Sequence, residues 1–535
     1  MSLADVIEVL PTTDEDSSGE QGCAKAGRKR PRAESGQSIG QFRPDPHVIY
    51  GNAHVAAEPS GRVSWQQLWD VLPLTSHALI ASFVLDFEFA VLPICRQADL
   101  ALTLVYHQEE ARRGSQARVR PALPVRDLAH ELGHETPIAA LLRTDTVCVV
   151  GPRLLSNYST FHAKCVLLRH RKERHGSAQE WLRLAITSAN ATHGDWHAYE
   201  QCVWCIDLPV TGAPPPRSQR SAGAMPDAPE YLLRTLQAWG VPAARASQLL
   251  AGVSWADMPA DLVGTIPQCL GRAGTAASAS SSATQVDLCQ PAMNGQWRLA
   301  ALRAIPLPPS AREYPPTASI RWFASSVGSF RAGTGLSLAT IANACAGESL
   351  LGHAEGEPVP PVRLLWPSAG CAERGLFGLP GTGCVRLAPR TAQHPDFPLG
   401  ALRRWAPRCP DAYVMSHAKL LVPWPSDAAP GNPLASPQDT PMATLMGELE
   451  PACDAQGRAL LPWVYAGSAN ASCAAQGVPT RSGGLRCNNY ELGVYLQHAA
   501  VQLPNVHVGT GLCFVDSRQA DPPMSGPAHL TPFMQ

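Results

Sequence analysis

The chain carries little charge for its size. Of 535 residues, 43 are Lys or Arg and 44 are Asp or Glu, so charged side chains make up 16% and the formal net charge is −1. That balance gives no global attraction for nucleic acid or for an anionic membrane. A basic groove would have to be local, and composition does not reveal one. Long apolar runs are also missing. The longest, at 78–91, is interrupted by Asp86 and Glu88 and is too short to span a bilayer. No secretory leader is visible, because the start carries Asp5 and Glu8 and no positive cluster. Nor is a disulfide framework expected, since the 16 Cys are scattered through a long chain. The thiols are expected to be reduced and mostly buried, in an intracellular protein.

What is present points to a globular body. Hydrophobic residues make up 45% of the chain, and its length allows two to four domains. The 50 Pro residues favour long loops and insertions. Residues 1–45 are polar, with six basic and eight acidic side chains, and are expected to be disordered. Inside this tail, residues 25–32 (Lys-Ala-Gly-Arg-Lys-Arg-Pro-Arg) form a basic cluster. It reads as a nuclear-import signal or a nonspecific phosphate contact; the plainer alternative is a solvated cluster that aids solubility. Order is expected from about Val48, with a helix over 65–72 and buried strands over 78–89 and 102–106. Three stretches read as surface insertions: 214–229, 274–283 and 425–459.

The informative signal is a long-period repeat. The first copy runs Phe161-His-Ala-Lys-Cys-Val-Leu-Leu, then Leu184-Ala-Ile-Thr-Ser-Ala-Asn, then Glu200-Gln-Cys-Val-Trp-Cys. The second runs Ser416-His-Ala-Lys-Leu-Leu-Val, then Val464-Tyr-Ala-Gly-Ser-Ala-Asn, then Tyr490-Glu-Leu-Gly-Val-Tyr. In each, His-x-Lys opens an apolar run, a second run ends in Ser-Ala-Asn, and a third begins on Gln201 or Glu491. Short, β-rich apolar runs read as strands of a buried sheet. Residues i and i+2 of a strand share a face, so His162 points with Lys164 and His417 with Lys419. Asn190 and Asn470 fall at strand ends, where sites in α/β sheets commonly lie. One His-x-Lys is more often a hydrogen-bonded core histidine. Two copies with the same sequel favour one shared centre. The organisation expected is a tail over 1–45, a first half over 46–258 and a second over 259–535.

These residue types suit phosphodiester chemistry. A phosphodiester resists attack because its oxygens are anionic, and two Lys and two Asn can neutralise them. Two His can divide the work of nucleophile and proton donor. A covalent phospho-His splits the displacement into two steps. Gln201 and Glu491 are candidates to stand behind the imidazoles and fix their tautomers. On charge alone, the His paired with Glu491 is expected to be the better proton shuttle, and the His paired with Gln201 to stay neutral and attack. Which orienter serves which His is open at this point.

The doubled H-x-K and S-x-N pattern resembles the phospholipase D superfamily. That superfamily's Asp, five residues after the Lys, is missing from both copies, replaced by Arg169 and Trp424. With Asn190 and Asn470 present, the pattern is similar to the tyrosyl-DNA phosphodiesterase branch. The stretches beginning Thr187-Ser-Ala-Asn, Ser325-Ser-Val-Gly-Ser, Trp366-Pro-Ser and Tyr490-Glu-Leu-Gly agree with it. The resemblance covers 65–514 apart from the insertions. It implies two α/β/α halves about a pseudo-two-fold axis. The reaction it implies is removal of tyrosine, left by a stalled type I topoisomerase, from a DNA 3′ phosphate. Its further implications are no metal or other cofactor, DNA 3′ ends and a tyrosyl peptide as partners, no membrane, a monomer, and the nucleus. Carried over residue by residue, His162 is the nucleophile and His417 the general acid. Lys164, Lys419, Asn190 and Asn470 hold the phosphoryl oxygens. Ser325, Ser326, Ser329 and Ser472 match positions lining the DNA groove, and Tyr158 matches an aromatic near the bases. The plainer reading is that the serines cap turns and Tyr158 packs.

Two motifs compete. His130-Glu-Leu-Gly-His134 matches a zinc-protease motif, but Gly133 weakens the helix it needs and no third ligand follows. Cys202-Val-Trp-Cys205 is a lone C-x-x-C whose alternation puts the thiols on opposite faces, so both are expected in the core. Rival functions are another phospholipase D-type phosphodiesterase or nuclease, and an inactive relative that binds DNA ends.

Overall fold

The computed structural model describes residues 42–54, 61–71, 75–94, 100–107, 146–154, 159–174, 177–212, 228–265, 268–269, 317–327, 362–367, 374–377, 402–407, 413–425, 451–476, 478–479, 485–504 and 506–512. The basic cluster at 25–32, the motif at 130–134, Tyr158, Ser329 and the stretch 274–283 lie outside the described residues.

The fold is mixed α/β and dominated by strands. The first half contributes β1 (Val48–Asn52), β2 (Arg62–Val63), β3 (Thr75–Ser82), β4 (Ala101–Tyr106), β5 (Val147–Val150), β6 (Thr160–Phe161), β7 (Cys165–Arg174), β8 (Ser177–Thr187), β9 (Tyr199–Glu200) and β10 (Cys202–Pro209). The second contributes β11 (Ala260–Thr265), β12 (Gln268–Cys269), β13 (Thr317–Phe323), β14 (Val362–Pro367), β15 (Leu402–Pro407), β16 (Met415–Ser416), β17 (Leu420–Pro425) and β18 (Ala459–Gly467). It continues with β19 (Val478–Pro479), β20 (Leu485–Cys487), β21 (Asn489–Val501) and β22 (Val506–Leu512).

Strand order exposes the duplication. The first half reads β5-β4-β3-β7-β8-β10-β1, with two parallel steps followed by four antiparallel ones. The second reads β15-β14-β13-β17-β18-β21-β11, with the same sense at every step. β22 adds an antiparallel strand outside β15. The halves join where β1 runs parallel to β21, pairing Val48 with Ala500 and Ile49 with Val501.

Burial on both faces explains why the strands are nearly continuous apolar runs. Along β7, Cys165 and Leu167 enter one core while Val166 and Leu168 enter another. Leu184 and Trp204 share the first core with Leu492, Val494 and Tyr495, so that core crosses from one half into the other. Two helices, Ala228–Ala238 and Ala243–Leu250, bury Leu232, Leu236 and Leu249 in it. Cys202 and Cys205 are both buried, in different cores, as alternation requires. The described cysteines Cys148, Cys165, Cys202, Cys205 and Cys453 are free thiols.

Two local expectations need correction. The helix expected over 65–72 spans only Trp65–Leu68, between a Ser64/Gln67 capping box and a turn. The strand expected over 78–89 ends at Ser82, and Phe87–Val91 forms a single π-helical turn. The Asp86 carboxylate accepts the Phe89 N–H and opens that turn, so an apolar run changes conformation midway. No helix among the described residues is long and apolar enough to cross a membrane.

Candidate active site

Each His-x-Lys enters the site by pairing with the opposite half. β6, just before His162, runs parallel to the start of β21, and the His162 N–H donates to the Tyr490 carbonyl at 2.9 Å. β16, just before His417, runs parallel to β9, and the His417 N–H donates to the Glu200 carbonyl at 2.8 Å. The residues that follow those carbonyls are Glu491 and Gln201. The backbone thus sets each imidazole against the orienter of the other half.

The partners are now fixed. His162 Nδ1 lies 3.0 Å from Glu491 Oε2. His417 Nδ1 lies 3.0 Å from Gln201 Nε2 and 3.2 Å from its Oε1. Behind each orienter stands the serine of Ser-Ala-Asn. Ser468 Oγ accepts the Leu492 N–H at 3.0 Å and donates to Glu491 Oε2 at 2.5 Å. Ser188 Oγ accepts the Cys202 N–H at 2.9 Å and donates to Gln201 Oε1 at 2.8 Å. Asn489 Nδ2 adds a 3.1 Å bond to Glu491 Oε1. Asn52 Oδ1 accepts the Gln201 N–H at 2.8 Å. Sequence reasoning gave no role to Ser188, Ser468, Asn489 or Asn52, although both serines recur in the repeat.

Lys164 and Lys419 have no exposed surface. Each Nζ donates at 2.7 Å to the carbonyl of the histidine two residues earlier. Lys419 Nζ also lies 2.8 Å from His417 Nε2. Burial, then the charge of Lys419, pushes the Lys164 ammonium down to about 7, against the pull of Glu491 and Asp195. Two buried ammonium groups in one site favour an anion, since a phosphodiester would restore their charge balance. Among the described residues, no group of three or more His, Cys, Asp or Glu is placed to hold a metal ion.

The imidazoles are held neutral. Burial lowers the His162 pKa, with Lys164 and Lys419 adding to it and Glu491 opposing it. Burial, then Lys419, Lys164 and His162, carry His417 well below its ordinary value. Burial alone would raise Glu491, but His162, Lys164 and the Ser468 hydroxyl outweigh it and keep it ionised. A carboxylate acceptor at Nδ1 leaves the lone pair of His162 on Nε2.

The two asparagines are aimed differently. Asn470 Oδ1 accepts from Ser325 N at 3.1 Å, Ser325 Oγ at 3.1 Å and Ser326 N at 3.2 Å, which fixes Nδ2 as the donor end. Asn190 donates its backbone N–H to Asp195 Oδ2 at 2.7 Å. Expected positions on a DNA groove therefore need revision for Ser325 and Ser326. Ser325 is 1% exposed, and both spend their donors on Asn470. Ser472 is buried too, and its Oγ accepts the Ala475 N–H at 3.3 Å, the turn-capping alternative. Phe83, which carried no sequence signal, places its ring 5.7 Å from the His162 ring and 5.9 Å from Lys164 Nζ.

The family described as Tyrosyl-DNA phosphodiesterase matches residues 58–529. Among solved structures, the chain is similar to the yeast tyrosyl-DNA phosphodiesterase, with 12% identity and a TM-score of 0.50, covering 86% of this chain and 91% of that one. A histidine-to-alanine mutant of the yeast protein matches at 12% identity and a TM-score of 0.50, covering 86% and 92%. A histidine-to-asparagine mutant matches at 13% identity and 0.50, covering 84% and 90%. These likenesses show the shared fold. No curated protein matches the chain. With the family matched over most of its length, the chain belongs to the tyrosyl-DNA phosphodiesterases, hydrolases of phosphodiester bonds in DNA repair.

Proposed function

We propose that the chain hydrolyses the bond between a topoisomerase-derived tyrosine, or another 3′ blocking group, and a DNA 3′ phosphate, through a phosphohistidine on His162. The observation that carries this reading is the unequal pairing of the two imidazoles: an anion behind His162 and an amide behind His417.

That pairing sets two sequence expectations against each other. On charge alone, the Glu491-paired His162 would be the shuttle; by family likeness it is the nucleophile. The electrostatics favour the second. Attack makes the imidazole cationic, and the Glu491 carboxylate behind Nδ1–H stabilises that charge as it develops. His417 has only an amide behind it, so its protonated form is a strong acid, suited to a phenolic leaving group.

The steps follow. The Nε2 lone pair of His162 attacks phosphorus, and the bond from phosphorus to the tyrosyl oxygen breaks as His417 gives that oxygen its proton. Lys164, Lys419, Asn190 and Asn470 take the equatorial oxygens. In the second step His417 removes a proton from water, whose oxygen attacks phosphorus. The P–N bond breaks, and its electrons return to Nε2 of His162. Positive charge from the two lysines does the work assigned elsewhere to a metal.

The substrate would be a DNA 3′ end, single-stranded or duplex, bearing a tyrosyl peptide. A single chain completes the site, which supports a monomer. The basic cluster at 25–32 supports the nucleus. The test is turnover of a 3′-phosphotyrosyl oligonucleotide in EDTA, with cleavage expected. Binding without turnover would indicate an inactive end-binding protein, and hydrolysis of phosphatidylcholine instead a lipid enzyme.

A further inference from the structure

The duplicated halves differ at one position that bears on the proton donor. Counting five residues on from each Ser-Ala-Asn asparagine gives Asp195 in the first half and Ala475 in the second. Both open a short helix in the same way: Asp195 N–H donates to Thr192 Oγ1 at 3.1 Å, and Ala475 N–H to Ser472 Oγ at 3.3 Å. The strand orienters differ in the opposite sense, Gln201 against Glu491. Each half therefore holds one carboxylate near the site, on the strand in the second half and on the helix in the first. Asp195 Oδ2 lies 3.7 Å from His417 Nδ1.

Gln201 cannot do for His417 what Glu491 does for His162. The Ser188 hydroxyl accepts from Cys202 N–H and so sends its proton to Gln201 Oε1. That leaves Gln201 Nε2, a donor, facing His417 Nδ1 at 3.0 Å, with its other contact to the Asp195 carbonyl at 3.3 Å. A protonated imidazole needs an acceptor at Nδ1. The other groups facing the ring oppose its protonation: Lys419 Nζ sits 2.8 Å from Nε2, and Lys164 and His162 add like charge. The Tyr199 ring, 6.1 Å away, carries no charge to offset them.

We propose that Asp195 is the charge partner of His417: a positioning residue whose carboxylate accepts the Nδ1–H of the protonated ring and so makes the proton for the tyrosyl oxygen available. The inference rests on His417 being the acid. Its carboxylate is tethered for the task, since Asn190 N–H holds Oδ2 at 2.7 Å and both lysines face it. The short helix places it beside the ring, where a small shift closes 3.7 Å to hydrogen-bond distance.

The test compares Asp195→Asn, which keeps an acceptor for Asn190 N–H, on two substrates in single turnover. One carries a 3′-phosphotyrosyl group; the other carries a 3′-p-nitrophenyl phosphodiester, whose leaving group departs without a proton. Asp195→Asn is expected to slow adduct formation on the tyrosyl substrate about tenfold or more and to spare the nitrophenyl one. The basic limb of the tyrosyl pH profile should move about one unit lower. Adding Gln201→Glu, which copies the Ser468–Glu491 arrangement, should restore both. Equal slowing of the two substrates, or an unmoved limb, overturns the role of Asp195 while His417→Ala still discriminates between them. If His417→Ala slows both equally, the acid assignment falls, and Asp195 with it.

Discussion

The N–H of His162 is bound to the carbonyl of Tyr490, 2.9 Å away and 328 positions along the chain. His417 repeats the contact with Glu200 at 2.8 Å. Each half supplies a histidine and aims the other half's. Because the backbone does the aiming, side-chain variants in the site should leave ring placement largely intact and report on chemistry.

His417→Ala should convert the enzyme into a trap. Breakdown needs a base for water, so a covalent DNA adduct on His162 should accumulate, visible as a slowed band on denaturing gels and locatable by peptide mass spectrometry. His162→Ala should give no adduct. An adduct of equal yield in His162→Ala would place the nucleophile elsewhere.

Glu491→Gln tests the anion behind the nucleophile. Ser468, Asn489 and His162 retain a partner at that position. Folding should therefore hold while adduct formation slows by about 10²-fold, or ~2.7 kcal/mol. Unchanged single-turnover rates would mean that Glu491 only orients the ring.

Acid should destabilise the fold through the site. His162 and His417 titrate below their ordinary value in the folded chain. As pH falls through about 6.5, the unfolded chain takes up these protons and the folded one does not, so stability falls. Glu491, also lowered, acts in the same direction at still lower pH: its stabilisation is present above its unfolded pKa and lost as pH falls through the folded one. Denaturant midpoints at pH 7 and pH 5.5 should differ less in His417→Gln than in the parent chain.

Gly467→Ala should loosen the site through the backbone. A Cβ at Gly467 would stand 2.4 Å from Gly493 Cα and 2.6 Å from the Leu492 carbonyl, on the rungs joining β18 to β21. Backbone cannot swing aside as a side chain does. Destabilisation of ~1–3 kcal/mol is expected, together with lost activity as Glu491 shifts. A thermal midpoint equal to that of the parent would contradict this packing.

The site was largely legible because it is duplicated. His-x-Lys, Ser-Ala-Asn and the polar residue opening the third strand recur in order, and strand alternation puts His and Lys on one face. Pairing was not legible. Nothing local in the sequence says that Glu491 serves His162, because the contact crosses between halves through β6 and β21. Ser325 was misread because its motif gives residue types, while its hydroxyl turns inward to Asn470. The strand over 78–89 failed at Asp86, whose carboxylate captures a backbone N–H and starts a helical turn that periodicity cannot register.

The crossed pairing through β6–β21 and β9–β16 also makes chemical competence a property of the finished chain. During synthesis, the first half emerges with His162 and Lys164 but without Glu491, and its own Gln201 and Asp195 have no imidazole to serve. A ribosome that stops early, or a protease that cuts between the halves and separates them, leaves a fragment with no oriented nucleophile. An enzyme that forms covalent bonds to DNA is thereby kept silent until its last long strand is in place.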